Sequence, residues 1–301
     1  ETYVVGFALP YGTNPAQLDT VAAAGGTGTA YSASNQTTLN AALTAIFADI
    51  MQKTGSAAAV ATNSTSLNSS SAIYQAKFDS SEWSGQLLAY VIGTTGVIPS
   101  TPTWDAAQNL PSYSARKIIS YKPSSGAGIA FEWPVNPASP TATEMDTAQS
   151  TAIGSNAVLD YLRGSASNEG TGSTNYRLRP TSKLGDIVNS SPVFVEKPKG
   201  GYAESIETVS YSTFVSSYAA RTPVLYVGGN DGMLHGFRAT DGVEVLAYVP
   251  SSTYPQLQSL SSKTYTHNYF VDGSPTAGDV FYGSQWHTVL VGGLNGGGQG
   301  I

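Results

Sequence analysis

The most informative stretch of this chain is VLYVGGNDGMLHGF, residues 224–237. Apolar and small residues alternate on both sides of Asn230, Asp231 and Gly232, which is the pattern of two strands joined by a turn. Asn, Asp and Gly tolerate the positive φ angles that a tight hairpin requires. The stretch therefore predicts a β-hairpin.

The same residues could also be interpreted as a metal-binding loop. A calcium loop needs several oxygen ligands in register and a distal glutamate. Asn230 and Asp231 supply at best two ligands, and these are adjacent in sequence. The hairpin is therefore the favoured interpretation, and Asp231 is first of all a turn residue.

Two further patterns could carry a metal. The three histidines, His235, His267 and His287, could form a three-histidine site. They share no helix or short spacing, so separate structural roles are favoured. Asp272–Thr276, DGSPT, fits the D-x-S-x-T adhesion motif of von Willebrand A domains, but AGDVFY after it has the pattern of a strand rather than of the helix required. We interpret this match as accidental.

Short strand patterns separated by Gly, Asp, Asn or Pro dominate the chain from Ala72 onward, and one helical interruption is expected at NAVLDYLRG, 156–164. The predicted strands are AIYQAKF (72–78), GQLLAYVI (85–92), RKIISY (116–121), IAFEW (129–133), SPVFV (191–195), PVLYVGG (223–229), GMLHGF (232–237), EVLAYVP (244–250), TAGDVFY (276–282) and HTVLVGG (287–293).

Two short internal repeats accompany these strands. Residues 85–90 and 232–237 share the pattern G-x-L-x-small-aromatic, and SSPVFV at 190–195 is echoed by GSPTAGDVF at 273–281. Repeated short antiparallel strands with glycine punctuation are typical of propeller blades or of a sandwich. The repeats favour a propeller.

The first 55 residues have a different pattern. A short strand is expected at Val4–Phe7, followed by a helix over residues 14–26 with Asn14 as its cap, Pro15 in the first turn and Gly25-Gly26 as its stop. A second helix is expected from Thr38 to a stop at Gly55. This order is typical of the end of an α/β domain. Residues 56–71 are almost all Ala, Ser, Thr and Asn, as in a linker or an edge strand.

Composition limits the function. The chain has 14 Lys and Arg against 20 Asp and Glu, a net charge of −6, which argues against a nucleic-acid or anionic-membrane surface. The absence of cysteine excludes disulfides, thiolate metal sites and a cysteine nucleophile. The acidic residues are scattered, no G-x-S-x-G elbow occurs, and GGLNGGGQG at 292–300 lacks the lysine of a phosphate loop. The sequence therefore nominates no catalytic, cofactor-binding or metal-binding residue.

Taken together, eight segments resemble the PilY family of type IV pilus biogenesis factors and tip adhesins of Gram-negative bacteria, in the order expected for that family's C-terminal β-propeller. The segments are FDSSEWSGQLLAY (78–90), WDAAQNL (104–110), LDYLRGSASNE (159–169), LGDIVNSSPVFV (184–195), VLYVGGNDGMLHGFRATDG (224–242), AYVPS (247–251), YFVDGSPTAGDV (269–280) and TVLVGGLNGGGQGI (288–301).

The start of the chain is similar to the closing portion of a von Willebrand A domain, through YVVGFALP, LDTVAAAGGTGTAYSAS and TLNAALTAIFADI. The resemblance implies a mainly β chain with three parts: the end of a von Willebrand A domain at 1–55, a junction at 56–71, and the N-terminal part of a propeller at 72–301. The chain begins and ends in strand patterns, so we expect it to be a fragment.

The resemblance implies a non-enzymatic role in promoting pilus assembly, opposing retraction and mediating attachment at the cell surface or pilus tip. Implied partners are pilin and minor pilins, with host-cell or surface ligands. Calcium is implied only for the complete protein, because this chain lacks the family's aspartate-rich loop. Two alternatives stay open: a quinoprotein-like propeller dehydrogenase, which the 224–249 segment also resembles, and a glycan-binding propeller lectin.

Overall fold

The computed structural model describes residues 2–9, 16–54, 59–62, 71–94 and 96–301. The chain divides into two compact units, Glu1–Ser56 and Ala57–Ile301.

The first unit is a small βαβα arrangement. Strands β1 (Val5–Phe7) and β2 (Tyr31–Ala33) are parallel, and helix α1 (Ala16–Ala24) connects them. Parallel strands need a crossover of this kind, because a tight turn can join only antiparallel neighbours. Helix α2 (Gln36–Thr54) follows. The unit therefore has the predicted order of a strand, a helix, a short segment and a helix, and the short segment is a second strand.

Local hydrogen bonds set the helix ends in this unit. Helix α1 stops where the Gly25 N–H binds the Val21 carbonyl and Gly26 takes a φ of +86°. Helix α2 begins two residues before the predicted Thr38. The Asn35 side chain accepts the Thr38 N–H at 3.0 Å, while the Thr38 hydroxyl accepts the Asn35 N–H at 3.1 Å. The predicted roles of Asn14, Pro15 and Gly55 fall outside the described residues.

The second unit is mainly β. Its strands are β3 (Ala59–Thr62), β4 (Ala72–Asp79), β5 (Ser84–Val91), β6 (Trp104–Asp105), β7 (Ile118–Lys122), β8 (Ala127–Ala130), β9 (Val193–Val195), β10 (Val224–Gly229), β11 (Met233–Arg238), β12 (Glu244–Val249), β13 (Thr276–Tyr282) and β14 (Gln285–Val291). Its helices are α3 (Thr147–Ile153), α4 (Asn156–Leu162), α5 (Tyr211–Ser217) and α6 (Tyr254–Leu257), with 3-10 turns at Ser251–Thr253, Gln258–Ser261 and Asn295–Gly297.

The strands form three open sheets. The first sheet has the order β3-β4-β5-β6, the second β8-β7-β12-β11-β10-β9, and the third is the β13-β14 hairpin. Strands β9 to β12 pair antiparallel in chain order, which is the meander of a propeller blade. The β7-β8 hairpin extends that meander, because β7 pairs parallel with β12. The repeated segments at 85–90 and 232–237 fall on corresponding hairpins, β4-β5 and β10-β11.

Two apolar cores hold the second unit together, and an aromatic cluster adds to them. The first core lies between the first two sheets, where Ala76 and Leu87 pack with Leu225 and Phe237. The second core lies under the β7-β8 hairpin and includes residues of α3, α4 and α6. The aromatic cluster joins α5 to the third sheet through Tyr211, Phe214 and Trp286.

The strand and helix predictions differ from the structure in three respects, the first being that strand β6 (Trp104–Asp105) was not predicted. A single helical interruption was expected, whereas α3, α5 and α6 occur in addition to α4. Helix α3 has a capping box, since the Asp146 side chain accepts the Gln149 N–H and the Gln149 side chain accepts the Asp146 N–H. The predicted strand at 129–133 ends at Ala130, and the Phe131 carbonyl accepts a bond from Arg163 at 2.7 Å instead of a strand partner.

Glycine allows the segment around Gly185 to pack between strand β5 and the β10-β11 turn. A Cβ atom on Gly85 would lie 2.0 Å from the Gly185 carbonyl oxygen, and one on Gly185 would lie 2.3 Å from the Asp231 nitrogen. The Gly85 N–H donates to the Leu184 carbonyl at 2.9 Å. A larger residue at either position would push this segment away from the strand or the turn.

We expect Gly85→Ala to lower the free energy of unfolding by about 1–3 kcal/mol, because the added methyl group meets backbone that cannot move aside cheaply. Gly278→Ala is the matched control, since nothing lies within 4 Å of a Cβ atom there. Urea unfolding followed by circular dichroism measures both. Equal stability of the two variants would contradict the close contact.

Candidate functional site

The hairpin predicted at 224–237 is confirmed. Strands β10 and β11 pair from Val224 opposite Arg238 to Gly229 opposite Met233, so Asn230, Asp231 and Gly232 form the turn. Gly232 has a φ of +92°, in the region that glycine adopts most easily. The residues predicted from the sequence to form the turn are therefore the residues that form it.

Asn230 links this turn to two other segments. Only 2% of its surface is exposed. Its side-chain amide donates to Asp186 Oδ2 at 2.8 Å, and its side-chain oxygen accepts the Phe270 N–H at 3.0 Å. Because both ends of the amide are occupied by protein groups, Asn230 acts as a cross-link and not as a metal ligand.

Asp231 begins a buried chain of charges. Its Oδ2 accepts the Gly185 N–H at 2.9 Å, and its Oδ1 lies 3.0 Å from His235 Nε2. The other ring nitrogen of His235 lies 2.8 Å from Glu244 Oε1, and the histidine has no exposed surface. The imidazole therefore lies between two carboxylates.

Arg116 continues the chain of charges. Its guanidinium binds both oxygens of Glu244, at 2.6 and 2.7 Å, and donates to the Arg163 carbonyl at 2.8 Å. Arg163 in turn donates to the Arg116 and Phe131 carbonyls. These ion pairs and hydrogen bonds join the β10-β11 hairpin to the β7-β8 extension and to the segment after α4. We call Asp231, His235, Glu244 and Arg116 the buried charge chain.

The carboxylates keep His235 protonated. Burial alone would lower the pKa of His235, but Asp231 and Glu244 outweigh it and raise this pKa to about 9. Burial alone would raise the pKa of Glu244, but His235 and Arg116 lower it to about 2. The pKa of Asp231 is also lowered, since His235 offsets the effect of burial. At neutral pH His235 is an imidazolium that donates from both nitrogens.

The other two histidines have different partners. His267 Nε2 lies 2.8 Å from Asp186 Oδ2, and its ring stacks on Trp83 with centroids 3.7 Å apart. His287 stacks on Tyr282 at 3.9 Å. Over the described ranges, no group of three or more His, Asp or Glu side chains could hold a metal. The structure therefore places the three histidines in separate packing roles.

The Asp272–Thr276 segment is another cross-link. The Asp272 carboxylate accepts bonds from the backbone and side chain of Asn189 and from Asn295, at 2.8 to 3.2 Å. Ser274 accepts the Ser191 N–H at 2.8 Å. Strand β13 begins at Thr276, as AGDVFY predicted. The segment is therefore followed by a strand and not by the helix of the adhesion motif.

Sequence reasoning missed Arg116, Glu244 and Asp186, which complete these networks. One signal was present, since only 11% of this chain is charged and Glu244 and Arg116 stand beside apolar strand segments. A charge in such a place is expected to have a buried partner. The sequence could not say which partner, because Arg116 and Glu244 are far apart along the chain.

The space beside the turn is small. A cavity of about 20 Å³ lies next to Asp186, Asn230 and Asp231. Small-molecule sites are on the order of 300–1,000 Å³. The buried charge chain therefore supports the fold, and it offers no room for a substrate or cofactor at this point.

Comparison with known proteins gives a consistent picture. The family model for the PilY1 beta-propeller domain matches residues 184–301, which contain β9 to β14. A type IV pilus biogenesis factor PilY1 homolog of Xylella fastidiosa is 36% identical over 252 residues, covering 82% of this chain and 19% of the relative. PilY1 of Pseudomonas aeruginosa strain PAK is 37% identical over 248 residues, covering 76% and 21%.

This chain spans about a fifth of the length of those relatives. No solved structure matches it. None of the helices in the described part of the chain is long and apolar enough to cross a membrane.

We expect His235→Gln to destabilise the second unit by about 3–5 kcal/mol, because it leaves two buried carboxylates without their shared cation. His287→Gln is the matched control, since His287 belongs to no ion pair over the described residues. Denaturant unfolding measures the difference. A loss below about 1 kcal/mol for His235→Gln would contradict the buried charge chain.

The raised pKa of His235 also predicts a pH dependence. The folded pKa of about 9 exceeds the ordinary value of 6.5, so the stabilisation is complete below pH 6.5 and is lost as the pH rises through 9. The shift corresponds to a loss of about 3 kcal/mol. Unfolding measured between pH 6 and 10 should show this decline in the wild type. The difference in the free energy of unfolding between wild type and His235→Gln should shrink as the pH rises. A constant difference would contradict the raised pKa of His235.

Proposed function

This chain belongs to the PilY1 family, and on that premise we propose that it is part of a type IV pilus biogenesis factor. The complete protein promotes pilus assembly by opposing retraction and mediates attachment to surfaces or host cells from the pilus tip. The observation that carries this proposal is the identity of 36–37% to proteins named as pilus biogenesis factors, over most of this chain.

The geometry of the second unit supports a non-enzymatic role. His235 is the strongest sequence candidate for a base, yet it has no exposed surface and both of its ring nitrogens face carboxylates. A general base has to come within hydrogen-bond reach of a substrate. The polar residues of this hairpin therefore support a scaffold that presents its surface loops to partners.

The domain organisation is part of the same proposal. We propose that residues 1–55 are the end of a von Willebrand A domain, that residues 56–71 are a junction whose strand β3 pairs with β4 as an edge strand, and that residues 72–301 are the first blades of a propeller. The parallel β1-α1-β2 crossover supports the first assignment. The meander of β9 to β12 and the matched propeller family support the third.

Pilin and minor pilins are the proposed partners, together with host-cell or surface ligands, and the proposed location is the cell surface or pilus tip. Calcium is proposed only for parts of the complete protein outside this chain. The described residues do not fit a calcium site, because the Asp231 oxygens are taken by His235 and Gly185 and no acidic cluster is present among them.

Deletion of the complete gene in the source bacterium tests the proposal. We expect surface pili and surface attachment to fall to near absence, because retraction is no longer opposed. Pili should return when the retraction motor is also removed. Electron microscopy and shear-released pilin measure piliation.

Complementation provides the control. The complete gene should restore pili, and a version lacking residues 72–301 should not. The Gly93→Ala version should behave as wild type, since a methyl group there meets no neighbour. Normal piliation and attachment in the deletion strain would contradict the proposal.

A further inference from the structure

A cleft lies between the second and third sheets, away from the buried charge chain. One part, of about 320 Å³, is lined by the segment after β9, by Arg221 and by the start of β13. The adjoining part, of about 270 Å³, lies between β10 and β14. Val195, Arg221, Ala277 and Thr288 line both parts, so the two form one cleft.

The two parts of the cleft differ in chemistry. The smaller part is lined by the apolar side chains of Val224, Val289 and Leu290, together with Tyr226, Arg221 and two threonines. The larger part contains Glu196, Lys197, Lys199 and Asp279. An occupant therefore needs an apolar group at one end and a polar or charged group at the other.

The charges favour an anion at the polar end. Glu196 forms an ion pair with Lys199, and both oxygens of Asp279 accept hydroxyl bonds, from Tyr211 and Thr288. Lys197 is exposed and has no ion-pair partner among the described residues. With Arg221, the lining has three cations and two acids, a net charge of +1 in a chain of net charge −6.

Arg221 has unused donors at the point where the two parts meet. Its Nη1 donates to Thr288 Oγ1 at 2.8 Å, and its Nη2 donates to the Glu196 carbonyl. Its Nε is enclosed and has no acceptor in the part of the chain that the structure describes. A guanidinium has five N–H donors and binds carboxylates through adjacent pairs of them. Each Nη nitrogen carries two N–H groups and makes one of the bonds named here, so Arg221 keeps donors that a carboxylate in the cleft can accept.

We propose that this cleft binds the C-terminal carboxylate of a polypeptide whose last residue is apolar. The carboxylate meets Arg221 and Lys197, and the last side chain enters the apolar part beside Val224 and Leu290. A peptide is favoured over a simple amphiphile because β9 and β13, on either side of the cleft, are edge strands whose unpaired backbone groups can bond to its amide groups, and the Thr222 hydroxyl lies beside them. This ligand class goes beyond the proposed role in pilus biogenesis and does not depend on it.

Calorimetric titration of the full 301-residue chain tests the proposal. The probe is an acetylated pentapeptide that ends in leucine with a free carboxylate, and the comparison is the same peptide with an amidated C-terminus. We expect saturable binding of the acid and at least about tenfold weaker binding of the amide, because charge-assisted bonds are lost. Decanoate is the third probe. Binding of decanoate in preference to the peptide acid would overturn the assignment to a polypeptide.

Variants locate the site. Arg221→Gln should weaken binding of the peptide acid about tenfold and leave the amide unaffected, and Lys197→Gln should have a smaller effect of the same sign. Arg238→Gln is the matched control, since Arg238 lies outside the cleft and pairs with Asp241. If Arg221→Gln does not fold, Lys197→Gln and the acid–amide comparison in the wild type still decide. No saturable binding, or equal binding of acid and amide, would overturn the proposal.

Discussion

An imidazolium held between two carboxylates connects the parts of the second unit. His235 donates to Asp231 at the turn and to Glu244 at the start of β12, and Arg116 carries the connection on to the β7-β8 extension. A buried charge is costly unless it is paired and hydrogen-bonded. Each charge of this chain is fully partnered only when the hairpin, β12 and the extension are all in their places. The buried charge chain therefore fixes one arrangement of the β10-β11 hairpin, β12 and the β7-β8 extension.

A second constraint is the close backbone approach of the segments that flank the strands. A Cβ atom on Gly228 would lie 2.2 Å from the Val271 carbonyl oxygen, and one on Gly273 would lie 2.1 Å from the Gly293 carbonyl oxygen. Backbone polar groups at such contacts are buried and have to be satisfied. Asn230 and Asp272 meet this need, since each accepts a backbone N–H from another segment. These two polar side chains thus stabilise the contacts between segments that are distant in sequence.

The contact between the second and third sheets leaves a cleft away from the buried charge chain. The second and third sheets are held by the Asp272 cross-links and by the aromatic cluster of Tyr211, Phe214 and Trp286. Between them remains a cleft with Arg221 at its centre. A rigid scaffold can hold such a cleft at constant geometry, which lowers the entropy lost in ordering the binding site when a ligand binds. This suits a protein whose relatives act in pilus assembly.

The hairpin at 224–237, most of the strands and the family could be predicted from the sequence, because these depend on alternation, turn residues and local motifs. The sequence also indicated that Asn230 and Asp231 are turn residues. It missed α3, α5 and α6, because their burial depends on distant contacts such as that of Phe214 with Trp286. Folding buries His235 between Asp231 and Glu244 and brings Arg116 to Glu244 across 128 residues of chain, so neither the charge of His235 nor its network could be predicted from the sequence. The cleft likewise exists only where the second and third sheets come together, and no local sequence pattern encodes how those sheets are placed.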